Sequence, residues 1–180
     1  MQRRLKEAFE YKNGVLFWRQ RPLSHFKNEH GQRIFNTRFS GKPAGVVNAG
    51  GYVKVCLNFK TYAAHRLIWI MHFGDIPTGR EIDHINHVKT DNRIENLRLS
   101  SRKENAANLP RRKDNTSGHC GVTWNPRKKR YQARIKVDGK NIHLGYFVDI
   151  ESAIAARKEA ENTLKFHPNH GSPPRNAQTS

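Results

Sequence analysis

The segment from Glu81 to Asn108 constrains the fold most strongly, because it joins two short apolar stretches to a polar run and a helix signal. The spacing of Ser101 and Glu104 is that of a capping box, which predicts a helix start shortly before Pro110. The expected elements are a strand at 81–85, a loop at 86–93, a second strand around 97–99 and a helix from 101 to about 109.

Four polar residues in this segment form a candidate site for hydrolysis of a phosphodiester bond. An Asp and an Asn supply oxygen ligands to a hard divalent cation, so Asp83 and Asn105 are the expected metal ligands. A neutral imidazole accepts a proton from water near neutral pH, so His84 is the expected general base. Asn96 is expected to hydrogen-bond the loop backbone and keep His84 oriented. Because neighbouring strand residues point to opposite faces, a twist or bend is expected between Asp83 and His84.

Charge favours a polyanionic partner, since 33 Lys and Arg stand against 15 Asp and Glu for a net +18. The excess lies in the flanks: residues 1–60 carry 12 basic and 3 acidic side chains, and residues 111–180 carry 14 and 6. Residues 61–110 carry 7 and 6 and are nearly neutral. This distribution suits flanks that hold phosphates around a chemical centre. A basic RNA-binding structural protein would have a similar composition.

Cysteine usage and hydropathy exclude further classes of protein and of metal site. The two cysteines, Cys56 and Cys120, do not form a CxxC pair, which argues against a cysteine-built zinc site and a disulfide framework. His84 and His87 have an HxxH spacing, but no third ligand clusters with them, so His87 is expected to be a loop residue. With no apolar leader and no long apolar run, we expect an unexported protein outside the membrane.

Two strand pairs are predicted upstream of the central segment. Asn13-Gly14 between apolar runs is a strong signal for a two-residue hairpin turn. A second pair is expected from Val46-Val47 and residues 52–57. Residues 19–40 are basic and aromatic without periodicity, and they are expected to form a loop, either in contact with DNA or simply solvated.

A buried helix is predicted from about Tyr62 to Phe73, because its apolar residues lie almost all around it. Thr61 is the expected N-cap, and Gly74 the expected end of the helix. His65 on this helix is interpreted as a buried structural histidine in preference to a member of the candidate site.

The C-terminal part has a different pattern. After a polar linker, three short strands are expected at 121–124, 131–137 and 141–147, with Asp138-Gly139 as a tight turn. Alternation in the second strand gives it one apolar and one basic face. Asp149 is expected to cap a helix that runs to about Leu164, and the tail beyond His167 to be disordered.

The central segment resembles the HNH homing endonucleases of phages and introns over about residues 41–109. The motifs that carry the resemblance are Asp83-His84-Ile85, Glu95-Asn96-Leu97, Lys103-Glu104-Asn105 and, upstream, His65-Arg66-Leu67. The resemblance implies a ββα-metal motif with one divalent ion. It assigns the metal-binding Asp to Asp83, the general base to His84, the middle Asn to Asn96 and the last ligand to Asn105. Asparagine in the last place is a family variant.

The C-terminal part resembles the AP2-type DNA-binding domain. The order of Gly121-Val122, the strand around Ala133, the His143–Phe147 run and the alanine-bearing helix carries the resemblance. In that family the sheet lies in the DNA major groove. The residues that would face DNA are Trp124, Arg130, Arg134 and Lys136. Arg134 is the leading candidate to read a base edge, and the alternative is a plain solvated strand face.

Together these features predict an α+β protein, in which an HNH nuclease domain precedes a small three-stranded antiparallel sheet packed on one helix. The expected divisions are a nuclease domain at 1–109, a linker at 110–118, an AP2-type domain at 119–167 and a tail at 168–180. The expected function is metal-dependent cleavage or nicking of double-stranded DNA. The expected cofactor is one divalent ion, Mg²⁺ before Mn²⁺. The alternative is a sequence-specific DNA-binding regulator without nuclease activity.

The resemblance implies the cytoplasm of a bacterium or of a phage-infected cell. No membrane partner is expected. Both monomer and dimer are compatible with a single active centre.

Overall fold

The computed structural model describes residues 1–106, 108, 111, 114–168 and 170–172. Within these residues, five α-helices and several small antiparallel sheets form a mixed helix-and-sheet structure, in agreement with the expected α+β class. The chain divides into two compact units, one spanning Met1–Ser101 and one that starts at Arg102. No helix in the described ranges is both long and apolar enough to cross a membrane.

The first unit opens with a helix and a hairpin. Helix α1 (Gln2–Ala8) leads into strands β1 (Phe9–Lys12) and β2 (Val15–Trp18), which pair antiparallel. Asn13 and Gly14 both have positive φ angles, 45° and 85°, as a tight primed turn requires. The hairpin predicted at these two residues is therefore confirmed.

The loop predicted over residues 19–40 is wrong. A 3₁₀ turn (Leu23–His25) and helix α2 (Glu29–Phe39) occupy most of it. Asn28 caps the helix, because its Oδ1 accepts a hydrogen bond of 2.9 Å from the Gly31 amide. No residue of α2 is fully buried, but its Phe35 and Phe39 pack against the core, and contacts between the Phe35 ring and the rings of Trp18 and Phe26 hold the helix in place.

A three-stranded sheet and the central helix follow. Strands β3 (Val46–Val47), β4 (Val53–Leu57) and β5 (Lys60–Ala63) pair in that order, and helix α3 (Ala64–Phe73) continues directly from β5. The prediction that Thr61 caps the helix is wrong, because Thr61 pairs with Cys56 in the hairpin. Gly74 ends α3 as predicted, with a φ of 87°. The core of the first unit includes Leu67 and Ile68 of α3, both fully buried.

The last strands of the first unit carry the candidate site. Strand β6 (Arg80–His84) pairs antiparallel with β7 (Leu97–Ser101), and a 3₁₀ turn (Ile94–Asn96) precedes β7. Both strands lie within two residues of their predicted positions. The loop between them returns the chain to the end of β6, beside His84.

The second unit begins with helix α4 (Arg102–Ala106). Of the predicted continuation to about Leu109, residues 107 and 109 lie outside the described residues. Strands β8 (Val122–Asn125), β9 (Arg130–Val137) and β10 (Lys140–Phe147) form an antiparallel sheet with β9 in the centre. Helix α5 (Ile150–Thr163), capped by Asp149, packs on the sheet over a small core of Val122, Ala133 and Ala153. Residues 169 and 173–180 of the predicted tail lie outside the described residues.

Candidate functional site

The imidazole of His84 is fixed in one orientation at the end of β6. His84 is 5% exposed, and its Nε2 lies 3.0 Å from Oδ1 of Asn92. The Asn92 amide donates to the Thr90 carbonyl oxygen at 3.3 Å, which turns its own oxygen toward the imidazole. His84 Nε2–H therefore donates, and Nδ1 is the proton-accepting nitrogen of the ring. Burial lowers the pKa of His84 below its usual value, against the raising effect of the Asn92 hydrogen bond.

Two further rings support His84. His65 of α3 meets it edge to face, with ring centroids 4.8 Å apart. Tyr52 lies 5.6 Å from the His65 ring and 6.1 Å from the His84 ring. Burial, the largest cause, together with neighbouring positive charge lowers the pKa of His65 to about 3, so its ring is neutral. His65 Nδ1 is buried and has no hydrogen-bond partner among the described residues. His65 is thus a buried histidine, as expected, but it also packs against the candidate base.

Asp91 organises the loop that carries Asn92. Its carboxylate accepts hydrogen bonds from Arg93 Nε and Nη2, both at 2.8 Å, and from Asn86 Nδ2 at 2.7 Å. The Arg93 hydrogen bonds are the main cause of a lowered pKa at Asp91. Only 3% of the Asp91 side chain is exposed, so the loop is built around a buried carboxylate.

Asn96 closes the same loop from the other side. Its Nδ2 donates to the Asp91 carbonyl oxygen at 2.7 Å, and its Oδ1 accepts from the Asn86 amide at 3.0 Å. Its backbone oxygen accepts from the Ile85 amide at 2.9 Å. Asn96 therefore ties the residues that follow His84 to the start of β7, and it contacts the loop backbone in the manner expected from the sequence.

Asp83 precedes His84 on β6 and contacts the neighbouring strand. It pairs with Arg98 of β7, and Asp83 Oδ2 accepts hydrogen bonds from Arg98 Nη2 at 2.8 Å and Nε at 3.1 Å. The pairing register is regular through Asp83 and His84, without a bulge between them. The chain changes direction only after His84, where His87 has a φ of 65°.

The first unit thus contains Asp83, His84 and Asn96 on adjoining elements. Asn105 lies on α4 in the second unit, half-buried, and its role as a metal ligand stays a prediction. Among the described residues, no group of three or more His, Cys, Asp and Glu side chains is placed to hold a metal ion. A site built from one carboxylate and carboxamides would not form such a group.

Sequence reasoning missed Tyr52, Asp91, Asn92 and Arg98. The Thr90-Asp91-Asn92-Arg93 run was itself a signal, because short polar side chains dense in a loop indicate side-chain bonds to the backbone. Nothing in the sequence connects Tyr52 with His84, since they are far apart along the chain and meet only through tertiary packing.

In the second unit, three of the four residues expected to face DNA share one face of β9. Arg130, Arg134 and Lys136 alternate with the buried Ala133 and Ile135, and all three are exposed. Trp124 differs. It lies opposite Tyr131 in the register, with ring centroids 4.9 Å apart, on the face that turns toward the core of the unit. The structure therefore does not place Trp124 with the three basic residues.

Comparison with known proteins bears on the first unit and the start of the second. The pattern of the HNH endonuclease family matches residues 62–107, which include α3, β6, β7 and α4. Protein 3.8 of Escherichia phage T7 is 34% identical over 82 residues, which is 46% of this chain and 68% of that protein. No solved structure matches the chain with statistical significance. The chain belongs to the family of phage T7 Protein 3.8 and carries an HNH endonuclease domain at residues 62–107.

Proposed function

We propose that this protein is a metal-dependent endonuclease of the homing type that hydrolyses phosphodiester bonds of double-stranded DNA. The observation that carries the proposal is the oriented imidazole of His84, within a domain that matches the HNH endonuclease family. Its Nε2–H is committed to Asn92, so Nδ1 has the role of a base. A protein that used this domain only as a scaffold would not need that arrangement.

The proposed chemistry is a single displacement at phosphorus. His84 Nδ1 removes a proton from water as the water oxygen forms a bond to phosphorus, and the bond to the departing 3′ oxygen breaks. The proton rests on His84 as imidazolium and then passes to solvent, while the departing 3′ oxyanion takes a proton from solvent, so the products carry a 5′ phosphate and a 3′ hydroxyl. Asn92 and His65 hold the imidazole in place for this transfer, which contributes to rate through orientation.

The donor set fits a hard divalent cation. Asp83 offers a carboxylate, and the sequence prediction adds the carboxamide oxygen of Asn105. These are oxygen ligands of the kind that Mg²⁺ and Mn²⁺ prefer. When bound, such an ion would stabilise the negative charge of the departing oxygen. Arg98 holds the Asp83 carboxylate and offsets its charge.

The proposal includes DNA binding by the second unit as well as by the first. A three-stranded sheet with an exposed basic face and a helix behind it supports an AP2-type mode of binding, with the sheet face toward the major groove. Arg134 is central on this face, opposite His143, and Gln132 beside it bonds His143 at 3.3 Å. Arg130 and Lys136 would contact phosphates. Trp124 lies on the other face of the sheet and is a weaker candidate for a DNA contact.

Replacing Arg134 by alanine is expected to cost about 1–3 kcal/mol in binding to the preferred site and to relax sequence preference. The reason is the loss of a bidentate contact to a guanine edge. Binding would be measured on selected and scrambled duplexes, with Lys136→Ala as the comparison for a phosphate contact. Equal losses on all duplexes would assign Arg134 to the phosphate backbone. Affinity for either duplex should fall steeply with salt.

A plasmid nicking assay tests the function. Supercoiled plasmid incubated with the full chain and Mg²⁺ should give relaxed or linear product. DNA binding without cleavage in Mg²⁺ and Mn²⁺ would support the regulator instead. Preference for structured RNA over duplex DNA would support a structural RNA-binding protein.

His65→Ala is expected to lower the cleavage rate about tenfold to a hundredfold with little change in DNA affinity, because the His84 ring loses its edge contact and shifts. His65→Phe keeps a ring at this place and should recover most of the rate. Ile70→Ala, a core truncation on the same helix, provides the comparison. If the loss of cleavage rate is proportional to the loss of thermal stability in all three variants, His65 contributes only to packing.

A further inference from the structure

The tip of the β4–β5 hairpin exposes an aromatic ring. Phe59 is 99% exposed, the highest value among the large hydrophobic residues described. It occupies the second position of a two-residue turn closed by the Leu57–Lys60 pair. Asn58 and Phe59 both have positive φ angles, 50° and 62°. Glycine is the preferred residue at that second position, and a bulky side chain there is strained.

The side chain of Arg21 holds the hairpin tip in place. Asn58 Oδ1 accepts a hydrogen bond of 2.7 Å from Arg21 Nη2. Arg21 is itself 5% exposed, and its guanidinium lies over the rings of Trp18, Phe26 and Phe35, at 5.6, 4.8 and 4.8 Å from their centroids. A buried cation in an aromatic cage therefore fixes the backbone that presents Phe59. The exposed ring is presented by a rigid support.

The surroundings of this tip are cationic. A groove beside the hairpin is lined by Arg3, Arg4 and Glu7 together with Asn58 and Tyr62, and Glu7 pairs with Arg3 at 3.1 Å, which leaves Arg4 as the further positive charge. Residues 1–60 as a whole carry 12 basic against 3 acidic side chains. A ring that projects from a basic surface suits duplex DNA, since arginines hold phosphates while an apolar side chain enters the base stack.

We infer that Phe59 is a wedge that inserts between base pairs of the bound duplex and unstacks one step. This inference rests on the proposed function in DNA. Insertion into DNA also explains the strained backbone at Phe59. A strained conformation costs stability in the free protein, and strain of this kind is common where a residue contacts a ligand. The insertion kinks and unwinds the duplex at that step.

The wedge lies on an element that leads to the candidate active site. Strand β5 runs from the turn to Ala63, and α3 with His65 follows at once. The four residue steps from Phe59 to Ala63 extend about 14 Å, which is the length of about four base-pair steps. Unstacking at Phe59 would therefore distort the duplex a few base pairs from the phosphate that is cut.

Unwinding of a closed circular plasmid tests the wedge without knowledge of the target sequence. The full chain is bound to relaxed plasmid in EDTA, with a topoisomerase that needs no metal, and linking number is read after deproteinisation. Wild-type protein should leave negative supercoils. Phe59→Gly should lose most of this unwinding at equal occupancy of the plasmid, and Phe59→Trp should retain it. Val46→Ala, which truncates another exposed apolar residue of the same sheet, should change nothing.

Thermal unfolding provides the second readout. Phe59→Gly should raise the melting temperature, because glycine adopts the left-handed turn without strain. Gain of stability with loss of unwinding would separate a DNA contact from a folding defect. Unchanged unwinding in Phe59→Gly would overturn the wedge. Absence of cleavage in Mg²⁺ with wild-type unwinding intact would overturn the nuclease and leave the wedge standing.

Discussion

Replacement of His84 by alanine should reduce plasmid nicking by about 10²–10⁴-fold and leave DNA affinity unchanged. Asn92 orients the imidazole of His84, whereas burial lowers the pKa of the neighbouring His65 to about 3, so we expect that His65 does not replace His84 as the base. Wild type and variant are compared by their initial nicking rates at saturating protein and by their DNA affinities in the absence of divalent cations. The small exposed area of His84 means that the truncation removes little contact with DNA.

His87→Ala is the matched control, because His87 lies three residues after His84, in the loop that follows β6, and has no part in the proposed chemistry. It should keep nearly full nicking activity. Asn92→Ala should fall between the two, since the imidazole remains but loses the carboxamide that sets its tautomer. Nicking that survives His84→Ala, or that fails equally in His87→Ala, would contradict the assignment of the base.

Replacement of Asp91 by alanine should lower the free energy of unfolding by about 1–3 kcal/mol, through the loss of hydrogen bonds to a buried carboxylate. Arg93 is half-exposed and regains water, which limits the cost. The nicking rate should fall by more than the loss of stability explains, because the loop that holds Asn92 against His84 loses the carboxylate around which it is built. Urea unfolding of the full chain and nicking rates below the transition would measure the two effects separately.

The same carboxylate gives a pH dependence of stability. The pKa of Asp91 is lowered in the folded state, mainly by Arg93, so the unfolded chain binds its proton first as the pH falls. Its contribution is fully present above the ordinary Asp pKa of about 4 and is lost as the pH falls through the lower folded value. The melting temperature of the wild type should therefore fall more steeply below about pH 4 than that of Asp91→Asn.

Glu95→Gln is the control for both experiments on Asp91. Its carboxylate is 67% exposed and lies 3.9 Å from Arg93, so it should contribute little to either stability or its pH dependence. Parallel curves for wild type and Asp91→Asn would show that Asp91 does not carry the acid sensitivity.

Local patterns in the sequence determined much of the secondary structure. Asn13-Gly14 and Asp138-Gly139 specify tight turns by their tolerance of positive φ, and alternation in β9 specifies its two faces. Gly74 and Asp149 mark a helix end and a helix start by their effect on nearby backbone groups. These signals act over a few residues, so the sequence carries them without reference to the rest of the chain.

Tertiary structure decided the features that depend on distant residues. Thr61 had the chemistry of a cap, yet pairing with Cys56 made it part of a strand. Helix α2 has no fully buried residue, and the rings of Trp18 and Phe26 that contact its Phe35 come from outside the helix.

The site shows the same division. Residue types and spacing indicated Asp83, His84 and Asn96 as candidate residues, because their spacing is a pattern along the chain. The sequence did not show that His65 packs on His84, or that Trp124 and Arg134 lie on opposite faces of a sheet. Side-chain direction and ring packing depend on how elements meet in space, and only the folded chain brings those surfaces together.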